Sequence, residues 1–305
     1  MAVWFVGTTD WELNKDLRNQ VLRIPEVIIR LRQSQDLVSH FSESEEDYFS
    51  LIQSDSDFQS LGFATLTVIR NAIDVGIFEA SIRKNELKPS AIVGNPFLPF
   101  TALALSGSVE FERSVELSYL WGAISHSLGA VSVFQVSGLG ENPRGELRVN
   151  LMKLIEKYSA DLVHTTKDGD LIVNVMNDRD SEFTVESKEL GLVVKKISKF
   201  AHPKSVTVAR ELIRLKEHFQ VHTLKEARIP IWETVKQRTI SKPSTLQRWM
   251  WNEVLSVTSY ESIEKDLIRA NFGTVYPQLS IFAPNKMGSF ESLGGLTASE
   301  PILAH

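Results

Sequence analysis

Short, wholly apolar runs alternate along this chain with longer stretches whose apolar residues recur every three or four positions. Residues 3–6 form the first run and read as a buried strand, followed by the turn-prone Gly7-Thr8-Thr9-Asp10. Residues 13–40 and 45–58 are polar with helical spacing, and 61–78 carry the apolar stripe of a helix packed on the core. Ala91-Ile92-Val93-Gly94 is apolar throughout and ends in glycine, the pattern of a central parallel strand covered on both faces. Helices are predicted at 100–105 and 110–124. Strand–turn–helix units with buried strands define an α/β class.

The pattern changes in the middle of the chain. A strand is predicted at 130–136 and an amphipathic helix at 146–158. Short strands are predicted at 161–166, 170–176, 182–186 and 191–198, with turn chemistry at Asp168-Gly169 and Asn177-Asp178. Helices at 206–217, 244–256 and 260–270 follow, with strands at 229–232 and 279–282 and a Gly/Ser-rich tail from Gly288. The expected organisation is a large core of residues 1–126 and 197–305, interrupted by a small α+β unit at 127–196.

Composition narrows the chemistry. The 305 residues are 43% hydrophobic and 23% charged, with a net charge of −5, 33 Lys+Arg and no cysteine. Without cysteine there is no disulfide scaffold, no thiolate-ligated metal and no thiol nucleophile. A mildly acidic chain is a poor non-specific ligand for nucleic acid, so none is expected as partner. No stretch approaches ~18 apolar residues, so no membrane span is expected. The first residues lack a basic signal-peptide region, which makes the cytoplasm the expected compartment. No Walker loop or Gly-x-Gly-x-x-Gly occurs, and His218 and His222 lack a third ligand, so no metal site is expected. The run Glu43-Ser44-Glu45-Glu46-Asp47 reads as a solvated surface turn.

Residues 89–107 are the most informative: Pro-Ser-Ala-Ile-Val-Gly-Asn-Pro-Phe-Leu-Pro-Phe-Thr-Ala-Leu-Ala-Leu-Ser-Gly. They resemble the strand–elbow–helix of malonyl-CoA:acyl carrier protein transacylases and polyketide-synthase acyltransferases, whose motif reads Gly-His-Ser-Leu-Gly. The resemblance extends to Ser198-Lys199-Phe200-Ala201-His202, similar to the family's catalytic-histidine segment. It also takes in Arg228-Ile229-Pro230-Ile231-Trp232, similar to its following strand, and Ala283-Pro284-Asn285-Lys286, in place of its late Gly-Pro-Gly turn. It implies a hydrolase-like parallel-sheet core with an inserted ferredoxin-like subdomain. That subdomain is expected to be abbreviated, because 177–202 leaves room for two strands and scarcely for a second helix.

The resemblance also marks what differs. In the family a serine attacks the thioester, a histidine takes its proton and backbone N–H groups hold the oxyanion. Pro96 stands at the serine position, with Asn95 before it and Phe97 and Leu98 after it, Leu98 replacing the motif's second glycine. Proline has no nucleophilic atom and fixes φ near about −65°. Trp121 takes the place of the arginine that pairs with a malonyl carboxylate, and Thr8 that of the oxyanion-loop glutamine; both are expected to line the acyl pocket. His202 alone matches a catalytic role, as a remnant base or simply a hydrogen-bonded histidine. Lys199 and Lys204 are candidates to meet the phosphates of coenzyme A or phosphopantetheine, or are solvated edge residues.

The first functional expectation is therefore an acyltransferase-fold protein of fatty-acid or polyketide assembly that has lost ping-pong transfer. It holds no permanent cofactor, takes a coenzyme A or phosphopantetheine thioester as its ligand, and has an acyl carrier protein or a ketosynthase-type enzyme as partner. The alternative is an acyl-thioester transferase or hydrolase using His202 as general base without an acyl-serine. A third reading is a shared architecture with an unrelated small-molecule ligand. His126-Ser127-Leu128-Gly129 spells part of the family motif, but a helical pattern precedes it and a strand follows, the reverse of an elbow.

Overall fold

The computed structural model describes residues 2–6, 15–42, 46–54, 62–85, 88–94, 98–127, 131–138, 145–165, 170–198, 224–234, 236–255, 258–259, 267, 269–270, 272 and 274–276. The first segments are β1 (Ala2–Phe5), α1 (Lys15–Val21), α2 (Pro25–Phe41), α3 (Tyr48–Gln53) and α4 (Phe63–Asn85). Then come β2 (Ala91–Val93), α5 (Pro99–Leu105) and α6 (Phe111–Ser127). The middle holds β3 (Val131–Ser137), α7 (Glu146–Tyr158), β4 (Asp161–Thr165), β5 (Leu171–Met176), α8 (Asp180–Glu189) and β6 (Val193–Ser198). The chain closes with β7 (Ile231–Glu233), β8 (Arg238–Ile240), α9 (Pro243–Leu255), β9 (Thr258–Ser259) and β10 (Thr274–Tyr276).

The core sheet runs β10-β1-β2-β7-β8, with its first four strands parallel and β8 returning antiparallel at the edge. All three residues of β2 are buried, as their apolar run requires of a strand covered on both faces. On one face Ile92 and Ile231 join the main core with α4, α5 and α6. On the other, Val3, Val93 and Trp232 pack with Leu267 and Phe272, the two aromatic rings meeting edge-on at 5.4 Å. Helix α4 lies between α2 and α6. Gly76 faces the Val27 backbone and Gly122 of α6 faces that of Ala64, both too closely for a Cβ. Thr67 donates to the Ser118 carbonyl and Asn71 Nδ2 to Ser114 Oγ, so two side-chain hydrogen bonds link α4 to α6.

The inserted unit corrects two expectations. Residues 182–186 are not a strand but the middle of α8, and the subdomain is complete rather than abbreviated. Its order β3-α7-β4-β5-α8-β6 and its antiparallel sheet β6-β3-β5-β4 are those of a ferredoxin-like fold. Phe183 and Ser187 are buried at helical spacing, while Glu182, Val185 and Lys188 face solvent. Asp180 starts the helix and accepts from Lys196 of β6 at 2.6 Å and from Ser132 of β3 at 3.1 Å. Glu186 takes hydrogen bonds from both Lys157 and Tyr158 of α7, tying the two helices together. The downstream β9 extends this second sheet, parallel to β4.

Elsewhere most described elements fall within a few residues of expectation, but 13–40 divides into α1 and α2, and α4 runs seven residues beyond 78. The edge strand β8 and the strands β9 and β10 are additions. The predicted helix at 206–217, most of that at 260–270, the strand at 279–282 and the tail lie outside the described residues.

Candidate functional site

In open parallel sheets, ligands meet the chain where strands give way to loops at their carboxyl ends. Strand β2 is flanked on both sides by parallel neighbours, leaves the sheet at Gly94, and is followed from Pro99 by α5. Residues 95–97 thus fall in sequence between a strand and a helix, the order an elbow requires. Asn95, Pro96 and Phe97 themselves lie outside the described residues, as do Thr8, Lys199, His202 and Lys204.

Two of the expected site residues are described. Leu98 stands at the N-cap of α5, offers no capping oxygen, and is only 1% exposed within the main core. Pro99 at the first helical position suits that start, since its missing N–H has no partner in a first turn. Trp121 of α6 is fully buried, its ring edge-on to Phe100 of α5 at 5.5 Å. Where the resemblance places a guanidinium facing substrate, this chain sets an indole between two helices.

A third bulky group, absent from the expectations, closes on the same junction. A Cβ on Gly94 would lie 2.7 Å from Cζ2 of Trp249, a buried residue of α9. The strand exit is therefore packed by Trp249 on the α5 side, with Ala102 behind it. Beside Gly94, at the end of β7, sits the buried carboxylate Glu233, paired with Arg238 and Lys236 of the β7–β8 hairpin.

The partial motif at 126–129 follows the opposite order. Helix α6 runs through Ser127 and β3 starts at Val131, so the segment joins helix to strand. Among the described residues no three His, Asp or Glu side chains come together to hold a metal ion, and no helix is long and apolar enough to cross a membrane.

A parallel core sheet, a β2–α5 junction at its carboxyl edge and an inserted ferredoxin-like unit together define an acyltransferase-type α/β fold. Solved malonyl transacylases superpose on it. A malonyl-transacylase in complex with its type II polyketide-synthase acyl carrier protein matches with a TM-score of 0.73 at 13% identity, covering 90% of this chain and 87% of its own. The acyl-carrier-protein S-malonyltransferase of Burkholderia pseudomallei gives 0.74 at 13%, over 91% and 88%. The malonyl-CoA–acyl carrier protein transacylase of Coxiella burnetii gives 0.73 at 14%, over 90% and 86%. The chain has the malonyl transacylase fold over nearly its whole length, the fold that the resemblance implied. No family model and no curated protein matches the sequence.

Proposed function

We propose that this protein is an acyltransferase scaffold of fatty-acid or polyketide assembly that no longer transfers acyl groups through a covalent intermediate. It serves instead as a cytoplasmic binding partner of an acyl carrier protein or a ketosynthase-type enzyme. The observation that carries the reading is Pro96, in the five residues (94–98) that connect β2 to α5. Acyl transfer there needs a hydroxyl to attack the thioester carbon, a base to take its proton and N–H groups for the oxyanion. Pro96 supplies neither oxygen nor N–H, and no cysteine exists anywhere in the chain to replace it. Leu98, Trp121 and Trp249 support the same conclusion by filling the surroundings with apolar side chains. Trp121 also removes the bidentate pair that selects a malonyl carboxylate.

Carrier binding is supported by the structural neighbour that was solved with its acyl carrier protein. It is tested by titrating holo- and apo-carrier against the protein in calorimetry; a saturable heat supports partnership, and none at high micromolar concentrations removes it. The second reading rests on Ser198-Lys199-Phe200-Ala201-His202, which keeps the histidine. There His202 removes a proton from water or from an incoming thiol, and the thioester is cleaved or exchanged within a ternary complex. If His202→Ala leaves thioester turnover unchanged, this second reading fails.

A further inference from the structure

The carboxyl edge of the core sheet carries a charged cluster that the elbow chemistry does not use. Glu233 ends β7 with its side chain only 6% exposed, where an unpaired carboxylate is costly. Because Trp232 pairs with Val93, Glu233 stands level with Gly94, where β2 leaves the sheet. Directly across the hairpin, Arg238 donates from Nε to Oε2 of Glu233 at 2.9 Å, and Lys236 Nζ lies 3.4 Å from Oε1. Gln237 between the two cations has φ of 49°, a left-handed conformation unfavourable for a residue with a Cβ. This turn brings both cations back to one carboxylate.

Neutralising the buried carboxylate takes one cation, and this hairpin supplies two. Arg238 and Lys236 are 51% and 44% exposed, and pairs that open to water contribute little. What the pairing does is orient. Glu233 holds the guanidinium by Nε, and among the described residues the two terminal nitrogens of Arg238 have no hydrogen-bond partner. A planar fork beside an ammonium suits a tetrahedral oxyanion. The three side chains sum to one positive charge, complementary in sign to a phosphate ester.

We infer that the β7–β8 hairpin is a phosphate-ester site in which Arg238 and Lys236 bind the anion and Glu233 is the positioning residue. Its source, a phosphopantetheine arm or the nucleotide end of coenzyme A, rests on the function proposed above. The test is calorimetry on the full chain with coenzyme A, 4′-phosphopantetheine and pantetheine, at low and raised salt. Coenzyme A is expected to bind more weakly as salt rises, and pantetheine at least about tenfold less tightly. Arg238→Gln, measured at a temperature where the variant is fully folded, should weaken coenzyme A about tenfold, and Arg238→Lys should recover part of the loss. Binding of 4′-phosphopantetheine assigns the site to the arm's phosphate; binding of coenzyme A alone assigns it to the nucleotide phosphates. Pantetheine binding as tightly as coenzyme A, no coenzyme A binding at millimolar concentration, or an unchanged affinity in Arg238→Gln overturns the site. An acyl-enzyme would instead remove the proposed function and leave the phosphate site standing.

Discussion

A covalent acyl-transfer step turns on one oxygen atom, held by strain at a turn and served by a base that can take its proton. At the position where the resemblance places that oxygen the sequence has Pro96, and the described neighbours follow the same direction. Leu98 and Trp121 present apolar surface where the resemblance calls for glycine and arginine. This much was legible in the sequence, because a missing hydroxyl and a missing guanidinium are visible as letters. Trp249 was not. It sits in a helix that the sequence did predict, but nothing in a helical stripe says that its indole will lie against Gly94 of a distant strand. Two residue-scale predictions follow from the packing. Trp121→Ala should cost about 3–5 kcal/mol in urea unfolding, as expected for a fully buried indole; a loss below about 1 kcal/mol would mean the ring stands in an open pocket. Gly94→Ala should cost about 1–3 kcal/mol, since the new methyl meets the Trp249 ring at 2.7 Å; a neutral effect would show that Trp249 yields easily.

At the scale of elements, α8 shows how a local pattern misleads. Phe183, Thr184 and Val185 are a β-favouring run, and reading them as a strand left no room for a second helix. The helical signal was longer in range: Phe183, Ser187 and Leu190 repeat at helical spacing, with Glu186, Lys188 and Glu189 between them. Tertiary partners settle the competition. Asp180 at the start of α8 is bound by Lys196 and Ser132, which hold its carboxyl below the usual carboxylate range. A group with a lowered folded pKa stabilises the native state above its unfolded pKa, and loses that contribution as pH falls through the folded value. The thermal midpoint should therefore drop between pH 5 and more acid solution, and Asp180→Asn should lower the neutral midpoint and shrink the acid loss. An identical acid profile in that variant would show that Asp180 is not tied to α8 stability. The same logic applies to Glu186, whose carboxyl is lowered by Lys157 and Tyr158. Edge strands such as β8 escaped the sequence for another reason. Arg-Thr-Ile after a tight turn has too few positions to show an alternation, and only pairing with β7 defines it.

For the whole molecule, the order of elements was recoverable because the strands of the parallel core are apolar on both faces and stand out as runs. Strand order and the completeness of the inserted unit needed the structure, since they depend on pairings far apart in sequence. What emerges is the malonyl transacylase fold over nearly the whole chain, and the function proposed above holds that acyl-transfer chemistry at its β2–α5 junction has been lost. On that proposal the scaffold's surfaces, rather than a nucleophile, are where binding to a carrier or an enzyme partner would reside. The most direct test is the intact mass of the protein after incubation with malonyl-CoA and, separately, acetyl-CoA. The account predicts the unmodified mass in both cases, under conditions where a serine transacylase is acylated; a stable malonyl or acetyl adduct on this chain would contradict it.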